Sequence, residues 1–209
     1  MKENLRFVFA LFAAVTGLHA EELQAIPTEE LAKATRLLMD ANAGLGEQPL
    51  KLELAPDKAM GFKSGDVGAI FIPDRRLQAE KGDKAEKRNN KKGAMPVGQL
   101  WTSKLSPKDK DAALSNDQLR LVTVKPKDKE IELAVFTLAI ERAGKKEFQL
   151  ALYGKGSSPV LRVPLTATKA KGAAAAILGA RQTSDDGGVL ELKLLGRFKA
   201  EIPVGKRAG

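Results

Sequence analysis

Cysteine is absent from this chain, and histidine occurs once, as His19. Without a thiol there can be no disulfide framework, no thiol redox centre and no Cys-His nucleophile. Without a histidine in the working protein there is no Ser-His-Asp triad, and none of the usual zinc sites built on nitrogen and sulfur ligands. His19 sits in "MKENLRFVFALFAAVTGLHA", where Lys2 and Arg6 flank an apolar run from Phe7 to Val15. That run is shorter than the roughly 20 residues needed to span a bilayer, and Ala20 supplies a small residue at a cleavage position. The pattern predicts a signal peptide over residues 1–20, removed on export together with His19, with no cysteine after it to carry a lipid. No later apolar run is long enough to span either, since "AAAAIL" from Ala173 is soon interrupted by Gly179.

Aromatic residues are also scarce, at 5% of the chain with one tryptophan and one tyrosine. Surfaces that read single-stranded nucleic acid or sugars use aromatic platforms between basic groups, and this chain has charge without platforms, so sequence-specific nucleic-acid recognition is not expected. Trp101, beside Leu100 in "QLWTSKL", reads as a core residue instead.

Basic charge is abundant. The formal net charge is +9, and loss of residues 1–20 lowers it by only one, because Lys2 and Arg6 leave with Glu3. The length suits one domain able to bury a core without disulfides.

"IPTEELAKATRLLMDANAG" reads as a helix, with Thr28 as cap, Glu29 and Glu30 in its first turn, and Gly44 as stop. Leu31, Ala34, Leu38 and Ala41 share one face, which packs on the rest of the protein. Beyond it the period changes to two. "LKLEL" (Leu50 to Leu54), "VGAIFI" (Val67 to Ile72), "VGQLWTSKL" (Val97 to Leu105) and "LRLVTV" (Leu119 to Val124) read as strands separated by turn residues. In "IELAVFTLAIER" the apolar positions shift from Ile131, Leu133 and Val135 to Phe136, Leu138 and Ile140, which predicts a bulge or break near Val135.

The C-terminal half suggests one unit written twice: "FQLALYG" (Phe148 to Gly154) answers "LELKLLG" (Leu190 to Gly196). Arg142 and Arg181 precede the two copies, and "LRVPL" and "AEIPV" follow them. If the unit is repeated, "AAAAILGAR" is a strand despite the helix preference of alanine. Pro164 and Pro203 belong at strand ends or sheet edges, because proline cannot donate to the ladder. Two hairpins of one sheet would also resemble each other through alternation and turn chemistry alone. The expected fold is mainly β, an antiparallel sandwich or open barrel with one N-terminal α-helix packed on it. After the signal come a helical segment at 21–49, a β-rich domain at 50–205 with a long basic loop at 78–96, and a tail at 206–209.

Three catalytic options survive the missing histidine and cysteine: paired carboxylates, a Ser/Lys dyad and an all-oxygen metal site. "GKGSSP" at Gly154 to Pro159 fails the phosphate-loop spacing, and Ser157 and Ser158 lack a nucleophile context, leaving a hairpin turn. "DKDAALSND" opens like a calcium loop with Asp109 and Asp111, but Ala113 stands where a third oxygen ligand is required. Asp185 and Asp186 suit a hairpin tip. Asp66 and Asp74 bracket one strand and lie about 25 Å apart at strand rise, too far to pair with each other. Glu132, Glu141 or Glu191 would have to supply a partner for either.

These absences point to a non-enzymatic, secreted or periplasmic binding or structural module without a cofactor or metal. The alternative is a carboxylate-dependent extracytoplasmic hydrolase or isomerase. The basic residues sit in turns: Lys81 to Lys92, Lys125 to Lys129, Gly144 to Lys146, Lys169 to Lys171 and Gly205 to Arg207. Sandwich turns gather at two ends, so such clusters can converge on an acidic polymer of the envelope, with Lys84, Lys87, Arg88, Lys91 and Lys92 as the candidate contacts. A partner protein is the other class of ligand.

Overall fold

The computed structural model describes residues 23–77, 93–126, 129–168, 174–184 and 186–207. Among the described residues fourteen strands form two antiparallel sheets, accompanied by the helix α1 (Thr28–Ala43). The first sheet contains β1 (Gln24–Ala25), β2 (Met60–Ser64), β3 (Val67–Pro73), β4 (Met95–Ser103), β8 (Ile131–Arg142), β9 (Phe148–Tyr153) and β10 (Leu161–Pro164) in that order, with β7 (Arg120–Val124) also on β8. The second runs β12 (Ala176–Ser184), β13 (Gly187–Leu194), β14 (Phe198–Lys206), β5 (Leu105–Asp109) and β6 (Ala112–Ala113), with β11 (Thr166–Ala167) on β14. The fold is mainly β, with sheets packed together and one helix, as the alternation predicts.

The expected bulge near Val135 is corrected. β8 is one unbroken strand of twelve residues. Its apparent phase shift arises because the first sheet is buried on both faces. Ala134, Phe136, Leu138 and Ile140 join the core between the sheets, whereas Ile131, Leu133 and Val135 join a second core under α1. Near Phe136 the strand changes neighbour instead, pairing with β7 through Val135 and with β9 from Thr137. The irregularity lies across from it, in β4, where Pro96 pairs with Ala139 and Gly98 with Leu138, leaving Val97 as the extra residue.

The helix lies on the outer face of the first sheet, as its apolar stripe requires. Leu38 is buried, and Leu31, Ala34 and Ala41 pack against the same cluster as Trp101, Ile70 and Ile72. Trp101 is 2% exposed. The capping expectation fails: Thr28 is the first helical residue, Pro27 precedes it, and no side chain caps the end. Proline's fixed φ sets the entry and the acidic first turn of Glu29 and Glu30 meets the dipole. At the other end Gly44 stops the helix. There Asn42 and Gln48 accept hydrogen bonds of 2.7 and 2.9 Å from the buried amide of Gln99, which itself accepts from Trp101 Nε1 at 3.1 Å. This polar bridge pins helix to sheet.

Other boundaries also move. Leu50 to Leu54 is not a strand; only Leu54 bridges, to Asp74. The stretch Val97 to Leu105 divides at Lys104, whose φ of 53° turns the chain out of β4 and into the opposite sheet. Thr102 and Ser103, buried at this corner, donate to backbone carbonyls of Leu105 and Asp66. The basic loop cannot reach Pro96, since β4 begins at Met95, and β14 takes in Lys206 from the expected tail. Pro164 ends the edge strand β10. Pro203 instead lies inside β14, where β13 pairs on one side and the other side is bare between the β11 and β5 ladders.

The two similar C-terminal units form meanders in opposite sheets, β8–β9–β10 and β12–β13–β14, and "AILGARQTS" is indeed a strand. Leu150, Leu152, Leu192 and Leu194 all enter the shared core. Their last hairpins differ in register: Val163 pairs with Leu150, whereas Ile202 pairs with Leu190.

Candidate functional site

Asp74 is 2% exposed and directly follows β3. Its carboxylate accepts from the Glu53 amide at 2.9 Å, the Arg76 amide at 2.9 Å, Arg76 Nε at 2.9 Å and Arg76 Nη2 at 2.8 Å. Arg76 Nη2 also donates to Lys51 O, so the group ties the 51–55 segment to the sheet. Burial alone would raise the Asp74 carboxyl, but the arginine and the two amides outweigh it and hold it below the ordinary range. A carboxylate so fully occupied is a structural knot, with no lone pair directed at a substrate.

Asp66 and the acids suggested as its partners are likewise committed. Asp66 pairs with Lys104 and Glu132 with Arg207. Glu141 accepts from Tyr153 Oη at 2.5 Å, Arg162 Nε at 3.1 Å and Gln149 Nε2 at 3.2 Å. Burial opposes its ionisation, and these donors outweigh burial and lower it; burial and the neighbouring carboxylate push the Tyr153 hydroxyl up to about 12. Glu191 and Glu201 face each other across β13 and β14, bridged by Lys199. Asp66 and Asp74 thus join none of the suggested partners Glu132, Glu141 and Glu191. Among the described residues no three His, Cys, Asp or Glu side chains come together as a metal site.

One end of the sandwich carries the β2–β3 turn, the corner at Lys104, the β7–β8 turn and the β12–β13 hairpin. A cavity of about 170 Å³ there is lined in part by Val67, Leu105, Leu190 and Val204. Four cations here are matched by acids, Lys104 by Asp66, Lys125 by Glu130, Lys206 by Asp186 and Arg207 by Glu132, whereas Lys108, beside Gly187 and Gly205, has no carboxylate of the described residues within ion-pair distance.

The opposite end is built differently. It carries the β8–β9 turn, with Lys145 and Lys146, and the β13–β14 turn, with Arg197. None of these three has a carboxylate of the described residues within ion-pair distance. The rings of Phe148 and Phe198 meet here at 5.3 Å, joining the two sheets. The guanidinium carbon of Arg142 lies 5.9 Å from the Phe148 centroid, and that of Arg197 lies 4.6 Å from the Phe198 centroid. Met95 pairs with Ile140, so the strand preceded by Lys91 and Lys92 starts two residues from Arg142 in register. Thr168, which precedes Lys169, donates its amide to Arg197 O at 2.7 Å.

Lys84, Lys87, Arg88, Lys91 and Lys92, the residues 169–173, Asp185 and the signal segment with His19 lie outside the described residues. The pairing of Phe148 with Phe198 could not be read from the sequence, because it joins strands fifty residues apart in different sheets. A local signal did exist in arginines placed beside turn-flanking phenylalanines. Among the described residues no helix is long and apolar enough to cross a membrane. No protein-family model, curated protein or solved structure matches this chain.

Proposed function

We propose that this is an exported, non-enzymatic β-sandwich module, periplasmic or extracellular, that binds an acidic polymer of the cell envelope. The observation carrying the reading is a group of unneutralised cations on the turns at one end of the sandwich. Lys145, Lys146 and Arg197, on two neighbouring turns, hold no carboxylate of the described residues within ion-pair distance. Unneutralised cations grouped on neighbouring turns create a local positive field, which draws in polyanions. The connections that contain Lys81 to Lys92 and Lys169 to Lys171 leave β3 and enter β4, and leave β11 and enter β12, at that same end.

Export makes a direct expectation: the intact mass of the protein recovered from the periplasm or medium of an expressing bacterium corresponds to a start at Glu21. A secreted form that retains His19, or a protein confined to the cytoplasm, contradicts the signal peptide.

Polymer binding is tested by retention on heparin at low and at about 0.2 M salt, because displacement of counterions makes such binding steeply salt-dependent. The exported protein is expected to be retained at low salt and released near the higher concentration. A variant with Lys84, Lys87, Arg88, Lys91 and Lys92 changed to serine is expected to elute earlier. Equal elution of the two removes the loop from the interface, and no retention at low salt removes the polyanion altogether.

A further inference from the structure

We infer that the cavity beside β12 is a binding site for an extended, uncharged segment of a partner protein, which adds to the free edge of β12 as a further strand and places one bulky apolar side chain in the cavity. The site is at the other end from the turns of Lys145, Lys146 and Arg197 and does not depend on the polymer reading. Among the described residues β12 is the longest strand with a neighbour on one side only. Its antiparallel ladder with β13 uses the backbone of alternate residues. The Leu178 amide identifies the outward set, because it donates to Met60 Sδ at 3.4 Å and not to β13. By the same alternation the N–H and C=O of Ala180 and the N–H of Gln182 face the edge, and none of them has a partner among the described residues. Met60, in β2, thus closes the seam between the sheets at Leu178. Beyond it lies the cavity of about 170 Å³, lined by Ala180, Gln182 and Ser184 together with Val67, Leu105 and Val204. Small residues keep it open: Ala180 turns a single methyl toward the core, and a Cβ on Gly188 would stand 2.6 Å from Arg181 O.

The occupant's chemistry follows from these groups. Outward backbone groups two residues apart repeat at about 6.8 Å, the period of a strand, which a peptide matches and a small apolar molecule does not. An added strand alternates its side chains as β12 does, so its residue opposite Ala180 points between the sheets. An apolar cavity of about 150 Å³ holds a benzene ring, so this one has room for leucine or phenylalanine. Charges around the mouth already have partners, Asp66 in Lys104, Asp186 in Lys206 and Arg181 in Glu201, so the complementary segment is uncharged. A second copy's β12 cannot fill the cavity, because its own inward residues Ala176 and Leu178 are buried in its core.

The test selects linear peptides from a random display library on the purified protein and measures the affinity of the selected peptides after synthesis. They are expected to carry leucine, isoleucine or phenylalanine among uncharged residues, and to bind Ala180→Leu about tenfold or more weakly, because the new side chain occupies the cavity. Gln182→Pro removes an outward N–H and leaves the β13 ladder intact, and it is expected to weaken binding about tenfold. Unchanged thermal midpoints establish that both variants are folded. A third measurement uses the wild-type protein alone: methylation of the peptide amides one at a time is expected to abolish binding at every second residue and spare those between.

A library that yields no peptide weakened by Ala180→Leu overturns the site. Methylation effects without alternation overturn strand addition. Selected peptides dominated by charged residues overturn the ligand class. Dimerisation of the protein on concentration, abolished by Gln182→Pro, assigns the edge to a second copy and overturns the partner segment.

Discussion

Replacing Asp74 by alanine is expected to destabilise the fold by about 3 kcal/mol, which for a chain of this size lowers the thermal midpoint by about 6–12 °C. The carboxylate is 2% exposed and accepts four hydrogen bonds, two from backbone amides and two from Arg76. Its removal leaves the amides of Glu53 and Arg76 without their acceptor and releases the guanidinium that holds Lys51 O. The effect stays below the largest values for buried ion pairs, because Arg76 is about half exposed and water can take over part of its solvation. Asp74→Asn keeps the shape but turns an amide NH₂ toward N–H donors, and it is expected to cost nearly as much.

Acid adds a second readout. The folded carboxyl is held below its unfolded value, so its contribution is fully present above about pH 4 and is lost as pH falls through the lower, folded pKa. Glu141 acts with the same sign. Wild type is therefore expected to lose stability more steeply than Asp74→Asn as the pH falls below about 4. Urea titrations at neutral and acid pH measure both quantities. A loss under about 1 kcal/mol at neutral pH would show that the knot is decorative.

The other large effect is expected at Gly98, where alanine should cost at least about 3 kcal/mol or prevent folding. Gly98 follows the extra residue of the β4 bulge and has φ of +150°, in the range where side chains are rarely found. A Cβ placed there would stand 2.3 Å from Ile72 O and 2.8 Å from Pro73 Cα, both backbone atoms of the adjacent central strand. β3 cannot retreat cheaply, since Ile72 is fully buried and Asp74 N donates to Val97 O across the same bulge. Gly179→Ala is the matched control. It lies in the edge strand β12 with its nearest neighbours at 3.7 and 3.8 Å, ordinary contact, so a change within about 1 kcal/mol is expected. Chemical denaturation followed by Trp101 fluorescence resolves both, because the single tryptophan is buried between helix and sheet. Similar stabilities for the two alanine variants would contradict the bulge geometry.

What the sequence determined by itself is the local part of this protein. The helix over Thr28–Ala43, its apolar stripe, most strands and the burial of Trp101 follow from the spacing of apolar residues, which acts through neighbours a few positions away. The absence of cysteine chemistry follows from composition alone, and the turn-borne lysines are equally legible. Tertiary structure decided everything that depends on which elements meet. One sheet is buried on both faces, so a pattern that reads as a bulge in β8 is a strand serving two cores. Asp74, read as a candidate acid, became a knot because Arg76 and the 51–55 backbone fold over it. At the two ends the lysines and arginines look alike in sequence. Only the packing of the sheets gave Lys104, Lys206 and Arg207 their carboxylates and set Arg142 and Arg197 on touching rings, since ion pairs and ring contacts form between residues that are neighbours in space and distant in the chain.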